Sequence, residues 1–171
     1  KVTEDGEYTV WMETSSSAEG AAVFCIDING LDNDLVDNTK VKAEIESISF
    51  DVDNINYYVD NSKVLFNNKD GNGTDGRIEI YNEYGDTKKL GADYSDLSFN
   101  SYMIVDFTIS GIDGNLIDGA SKSYKTELSY AASGWSPAYW GGTTAAAAKV
   151  TGDGSYEVWA PISGNASGAV V

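Results

Sequence analysis

The amino-acid sequence predicts an all-β fold, a jelly-roll-like sandwich of two sheets, and three observations carry that prediction. Runs rich in Val, Ile, Tyr, Phe and Thr alternate with clusters of Gly, Asn, Asp and Ser along the 171 residues. No window holds a 3.6-residue apolar period for three turns. Turn pairs recur at Asp5-Gly6, Asn29-Gly30, Asp75-Gly76, Asp113-Gly114 and Asp153-Gly154, a spacing that suits a sandwich.

Each candidate strand is bounded by such turn chemistry. Glu7–Glu13 follows Asp5-Gly6, and Ala21–Ile28 ends at Asn29-Gly30. Val41–Val52 is the longest run. Lys63–Phe66 and Arg77–Tyr81 flank the glycine-rich stretch Asp70-Gly71-Asn72-Gly73, and Tyr102–Ile109 runs toward Asp113-Gly114. Thr126–Tyr130 and, after Asp153-Gly154, Ser155–Ala160 complete the set. The only helix candidate, Thr143–Val150 with its alanines Ala145 to Ala148, reads better as an edge segment feeding the strand after it.

The two ends of the chain repeat one another. Lys1 to Val23 and Lys149 to Val171 agree at 13 of 23 positions without a gap, sharing K-V-T-x-D-G-x-Y-x-V-W. A repeat at that separation predicts a module carried in tandem, with these boundaries out of phase with it. On that reading the chain holds one sandwich's worth of sequence, and 118–171 opens a second copy.

Charge and cysteine content narrow the partners. A net charge of −16, from 27 acidic and 11 basic residues without histidine, opposes binding to nucleic acid or anionic membranes. Cys25 lies in the apolar run Ala21–Ile28 and reads as a buried thiol rather than a nucleophile. With no histidine, catalytic triads built on that residue are excluded. Hydrolysis by paired carboxylates needs a deep cleft framed by long loops, and most loops here are short turns. The chain is therefore expected to be non-catalytic.

Strand parity picks out the aromatic residues expected at the surface. In Tyr8-Thr9-Val10-Trp11-Met12-Glu13 successive side chains alternate, so Trp11 shares a face with Thr9 and Glu13, away from Val10. In the repeat, Trp159 sits with Glu157 opposite Tyr156 and Val158. The same alternation places Tyr81 with Arg77 and Glu79, away from Ile78 and Ile80. A second concentration, Trp135, Tyr139 and Trp140, falls in a Gly/Pro-rich loop. Either these rings form a flat platform or some of them tuck against the sandwich, Trp140 being the first candidate for burial.

Metal binding has weak support. Asp70, Asn72 and Thr74 take the first alternating positions of an EF-hand loop, but Asp75 and Tyr81 stand where Gly and Glu are required. A polar hairpin turn is the better reading, with calcium as the alternative here and in the acidic stretch Leu31–Asn38. Asn72-Gly73-Thr74 and Asn165-Ala166-Ser167 match the glycosylation sequon.

The run V-T-x-D-G-x-Y-x-V, then GAAVFCIDINGL, Val41–Ile48, RIEIYNEYG and SYMIVDFTISGI resembles a β-sandwich carbohydrate-binding module. Such modules are appended in tandem to plant-cell-wall-degrading enzymes of rumen and gut anaerobic bacteria. The order Leu128-Ser129-Tyr130, Gly134-Trp135, Tyr139-Trp140-Gly141, then V-T-x-D-G-x-Y is similar to theirs in permuted form. The resemblance implies a secreted, extracellular, non-catalytic module that binds a neutral polysaccharide, a β-1,4-glucan or related hemicellulose. Trp11, Tyr81, Trp135, Tyr139 and Trp159 are the stacking candidates, and Glu13, Glu79, Asn82 and Glu157 the hydrogen-bonding ones. The rival expectation is an extracellular structural protein joined head to tail by strand exchange, because a duplicated strand leaves one more than a sandwich needs.

Overall fold

A computed structural model of the chain describes residues 1–14, 16–50, 55–67, 75–100 and 102–140. Within them run strands β1 (Gly6–Glu13), β2 (Ala18–Glu19), β3 (Ala21–Ile28), β4 (Lys42–Phe50), β5 (Ile55–Asn56), β6 (Leu65–Phe66), β7 (Gly76–Asn82), β8 (Ser98–Phe99), β9 (Tyr102–Ser110), β10 (Thr126–Ala132) and β11 (Ala138–Tyr139). One sheet has the order β1-β9-β4-β5, the other β11-β10-β3-β7-β6, and β2 with β8 makes a two-stranded ribbon. β1 lies over β10 and β4 over β6, so the two larger sheets face each other. The fold is an all-β sandwich, as the sequence predicts.

Alternation builds the layer between the sheets. From β1 come Val10 and Met12, from β9 Met103, Val105, Phe107 and Ile109, from β3 Phe24, Ile26 and Ile28, and from β10 Leu128 and Tyr130, all buried. In β4 the buried residues Ile45 and Ile48 are three apart, which strict alternation forbids. A bulge between Ile45 and Ser47 takes up the extra residue and returns both isoleucines to the core.

One end of this layer is closed by a circuit of six aromatic rings. Phe50 stacks on Phe99 at 5.4 Å, Phe99 meets Tyr130 edge-on at 5.0 Å, and Tyr130 meets Phe24 at 5.7 Å. Phe24 continues to Tyr94 at 6.0 Å, Tyr94 to Tyr57 at 5.6 Å, and Tyr57 returns to Phe50 at 6.5 Å. The circuit joins β4 of one sheet to β3 and β10 of the other through β8. Tyr130 is fully buried, and its hydroxyl donates to the Gly20 carbonyl.

The strand expectations hold within a residue or two for β1, β3, β4, β6, β7, β9 and β10. The two-residue strands β2, β5, β8 and β11 were not expected, being too short to show a period. Nor were the one-turn helices α1 (Leu31–Asp34) and α2 (Asp86–Lys89). The stretch 118–140, expected to open a second copy, contributes here to the same sandwich: β10 lies between β3 and β11, and Tyr124 bridges to Val2. The second repeat at 149–171, the candidate strand Ser155–Ala160 and the helix candidate Thr143–Val150 lie outside the described residues.

The turn after β9 gives a stability test. Gly111 has φ +90°, and a Cβ there would lie 2.2 Å from the Lys40 carbonyl oxygen. Gly114 has φ +71° with nothing within 4 Å. Gly114→Ala is expected to cost about 1 kcal/mol from backbone conformation alone. Gly111→Ala, which adds a backbone clash, should cost more than about 2 kcal/mol in urea unfolding. Equal losses at the two sites would contradict the close approach.

Buried phenols give a pH test. Burial pushes Tyr94, Tyr124 and Tyr130 above the ordinary tyrosine value, and at Tyr124 the Asp34 carboxylate hydrogen-bonded to its hydroxyl adds to the effect. The native state keeps these protons after the unfolded chain begins to lose its own, near pH 10. Their contribution to stability is complete below that pH and declines as pH rises above it. The unfolding midpoint should fall above about pH 10. An absorbance titration in which every tyrosine ionises together at the ordinary value would refute this.

Candidate functional site

Among the described residues, the largest group of exposed rings in contact lies at the rim of the five-stranded sheet. Tyr84, Trp135 and Trp140 are 72%, 42% and 56% exposed. Tyr84 and Trp135 have centroids 6.2 Å apart at an interplanar angle of 21°, and Trp135 and Trp140 are 6.3 Å apart at 29°. The three near-parallel rings form one strip with Trp135 in the middle.

Trp135 is held by its backbone and by its indole. It ends the turn Ser133–Trp135, and both Gly134 and Trp135 are left-handed, at φ +76° and +65°. A tryptophan in that region costs about 1–2 kcal/mol, so the surrounding contacts must enforce the geometry. They do so from both sides: Ser133 N donates to the Gly20 carbonyl at 3.0 Å, and Ala132 N to the Pro137 carbonyl at 2.8 Å. The indole Nε1 donates to Glu83 Oε1 at 3.2 Å. A side-chain hydrogen bond with the same Glu83 raises the Tyr84 phenol above its ordinary value, so one carboxylate serves two rings of the strip.

Tyr84 is placed by a buried polar knot under the turn that follows β7. Thr87 Oγ1 donates to Glu79 Oε1 at 2.9 Å and accepts from Asn82 N at 2.8 Å. Asn82 Nδ2 donates to Glu79 Oε2 at 3.4 Å, and Asn82 Oδ1 accepts from Tyr84 N at 3.0 Å. Gly85 is needed for this packing, since a Cβ there would come within 2.9 Å of Glu79 Oε1. Glu79 and Asn82, expected as exposed partners for sugar hydroxyls, are buried. Parity does turn Glu79 away from the isoleucines, but α2 folds back against β7.

Tyr81 corrects the parity argument. Cys25 pairs with Glu79 and Phe24 with Tyr81, so Ile80 is an extra residue in a bulge. The half-period shift carries Tyr81 to the core side, where it is 7% exposed and packs on Tyr94 at 5.6 Å. Tyr139 is the ring that tucks in: it is half-buried against the core, and its hydroxyl bonds Ser16 N at 3.1 Å and the Ser16 carbonyl at 3.0 Å. The expectation that Trp140 would be the first of the three loop rings to be buried is reversed.

Trp11 lies where parity puts it, half-exposed on the outer face of the four-stranded sheet, but the structure does not bring it to the strip. Its register partner is Ile104, and Glu13, exposed at the end of β1, pairs with Tyr102. Beside them Asp106 accepts from Thr9 Oγ1 at 2.6 Å and from Ser47 Oγ at 2.7 Å, a polar row across three strands. Glu157 and Trp159 lie outside the described residues. Of the stacking candidates among the described residues, only Trp135 belongs to the strip. Sequence reasoning missed Tyr84 and Glu83, although a tyrosine in the turn Asn82-Glu83-Tyr84-Gly85 was a signal for exposure.

The acidic stretch considered for calcium is occupied by structural bonds. Asp32 Oδ1 accepts from Asn38 Nδ2 at 3.0 Å and from Asn67, Asp34 Oδ2 accepts from Tyr124 at 2.8 Å, and Asp37 caps Thr39. Asp75 accepts from Gly30 N at 3.1 Å, while 68–74 lie outside the described residues. Among the described residues, no group of three or more His, Cys, Asp or Glu side chains is placed to hold a metal ion.

No protein-family model matches the chain, and neither does any curated protein or solved structure.

The polar knot can be tested apart from any ligand. Thr87→Val removes the hydroxyl that serves both Glu79 and Asn82, and should lower stability by about 1–3 kcal/mol. The loosened turn should also expose Trp135 to an added quencher, with Thr87→Ser restoring both properties. Unchanged stability and quenching in Thr87→Val would show that the knot does not support the strip.

Proposed function

We propose that the chain is a non-catalytic module that binds a neutral polysaccharide, a β-1,4-glucan or related hemicellulose, on the Tyr84–Trp135–Trp140 strip. The observation that carries this reading is the strip itself: three exposed, near-parallel rings held by backbone and carboxylate contacts. Sugar rings present apolar C–H faces that stack on such surfaces, and their hydroxyls donate hydrogen bonds to acceptors at the edge. Glu83 is the carboxylate at hand for that second role.

Charge favours a neutral ligand. With a net charge of −16, the protein repels polyanions, whereas a glucan carries nothing to repel. A pectin would need bridging cations. The resemblance to modules appended to plant-cell-wall-degrading enzymes supports the same ligand class and an extracellular setting. Trp11, on the other sheet, is a separate ring and takes a secondary part at most.

Affinity electrophoresis through gels containing xyloglucan, barley β-glucan, hydroxyethylcellulose, xylan or pectin tests the reading. Retardation is expected in at least one neutral glucan. Trp135→Ala should weaken it at least about tenfold, or ~1.4 kcal/mol. Tyr139→Phe, which keeps the ring and loses the hydroxyl bonded to Ser16, should keep the affinity. Free migration in every gel would sink the proposal, and retardation that survives Trp135→Ala would move the site elsewhere.

A further inference from the structure

Lys1–Glu13 is held on the sandwich by the antiparallel ladder of Gly6–Glu13 with Tyr102–Ile109 and by contacts at its start. Val2 is fully buried, and its backbone exchanges two hydrogen bonds with Tyr124, at 3.0 and 2.7 Å. The Asp5 carboxylate accepts from the backbone N–H groups of Gly111, Ile112 and Asp113 at 3.1, 2.7 and 3.2 Å, fastening the turn after β9. Tyr8 stacks on Phe107 at 5.8 Å, and its hydroxyl donates to the Glu4 carbonyl at 2.7 Å. Val10 and Met12 fill the core beside Val105 and Met103 of β9.

The second copy of the repeat keeps these positions. Val150, Asp153, Tyr156 and Val158 correspond to Val2, Asp5, Tyr8 and Val10. Over these residues the copies differ at Glu4, Glu7, Thr9, Met12 and Glu13, of which only Met12 is buried. Two differences count against the second copy. Ala160 in place of Met12 would leave core volume unfilled. Glu157 in place of Thr9, whose hydroxyl bonds Asp106, would set one carboxylate against another.

We propose that the edge of β9 is a strand-docking site with a second cognate occupant, the chain's own segment Lys149–Ala160, which competes with β1 and is the weaker of the two. The reach is sufficient. β1 lies over β10, and β11, paired at Tyr130, is the neighbouring edge strand, so the described chain ends on the side of the sandwich where β1 sits. From Tyr130 to Tyr124, where Val150 would bridge, is about 20 Å of extended strand. The residues 141–148 can span about 27 Å. Occupation of the site by the second copy releases Lys1–Glu13 as an unpaired strand.

The test uses the full chain. Val10→Asp cripples the first occupant, and it should retain a cooperative unfolding transition, with hydrogen-exchange protection appearing at 156–160 in a monomer. Adding Val158→Asp should abolish the transition, whereas Val158→Asp alone should leave it unchanged. The proposal is overturned if Val10→Asp is as unfolded as the double variant, if 156–160 stay unprotected, or if protection appears only in a dimer. A trapping measurement does not depend on the folding of that variant. Glu7 and Thr108 are register partners, and Ser155 corresponds to Glu7. Under mild oxidation Thr108→Cys should therefore form a monomeric disulfide with Ser155→Cys, more slowly than with Glu7→Cys. No 108–155 bond under conditions where the 7–108 bond is complete would also overturn the proposal.

Discussion

The sandwich depends on its aromatic circuit. Two sheets with apolar inner faces can slide or splay unless something sets their separation, and rings do so better than aliphatic chains because their contacts have preferred angles. Here Phe50, Phe99, Tyr130, Phe24, Tyr94 and Tyr57 close on one another, so no ring can move without disturbing two neighbours. The ribbon of β2 and β8 exists to deliver Phe99 into this ring. Tyr130 ties the circuit to the Gly20 carbonyl, next to the segment whose Ser133 N bonds that same oxygen. The same anchor thus steadies the core and the turn that carries Trp135.

The aromatic residues divide by position. Phe24, Phe50, Phe99 and Phe107 with Tyr81, Tyr94, Tyr124 and Tyr130 build the interior, with tyrosine hydroxyls aimed at acceptors such as Asp34 and Gly20, while Tyr58 and Tyr84 stay exposed. Trp135 and Trp140 remain exposed, and Trp11 is only half-buried. Indoles left at the surface after the core is complete need another reason to be there, and the strip with its shared Glu83 offers one.

Much of the fold was legible in the sequence because a half-buried strand writes its environment into a two-residue period and ends at recognisable turns. The outward placement of Trp11 followed from that period alone. What could not be read is what breaks the period or needs no period. The bulge at Ile80 reversed Tyr81, and α2, a single turn of helix, buried Glu79. In the loop after β10, Tyr139 is drawn inward by its bonds to Ser16 and Trp140 is left out, a choice set by contacts more than a hundred residues away along the chain. Composition identified the segment but had no means of ranking its rings.

The extra residue in β7 also constrains how this strand can vary in length. Alternation has only two phases, so a single inserted or deleted residue reverses every side chain between the change and the next fixed point, whereas two restore the original sense. β7 carries the core residue Ile78 before its bulge at Ile80 and, beyond Tyr81, the Asn82 turn that presents Tyr84. Its length is therefore counted in twos: an even change lengthens the strand, and an odd one turns part of it inside out.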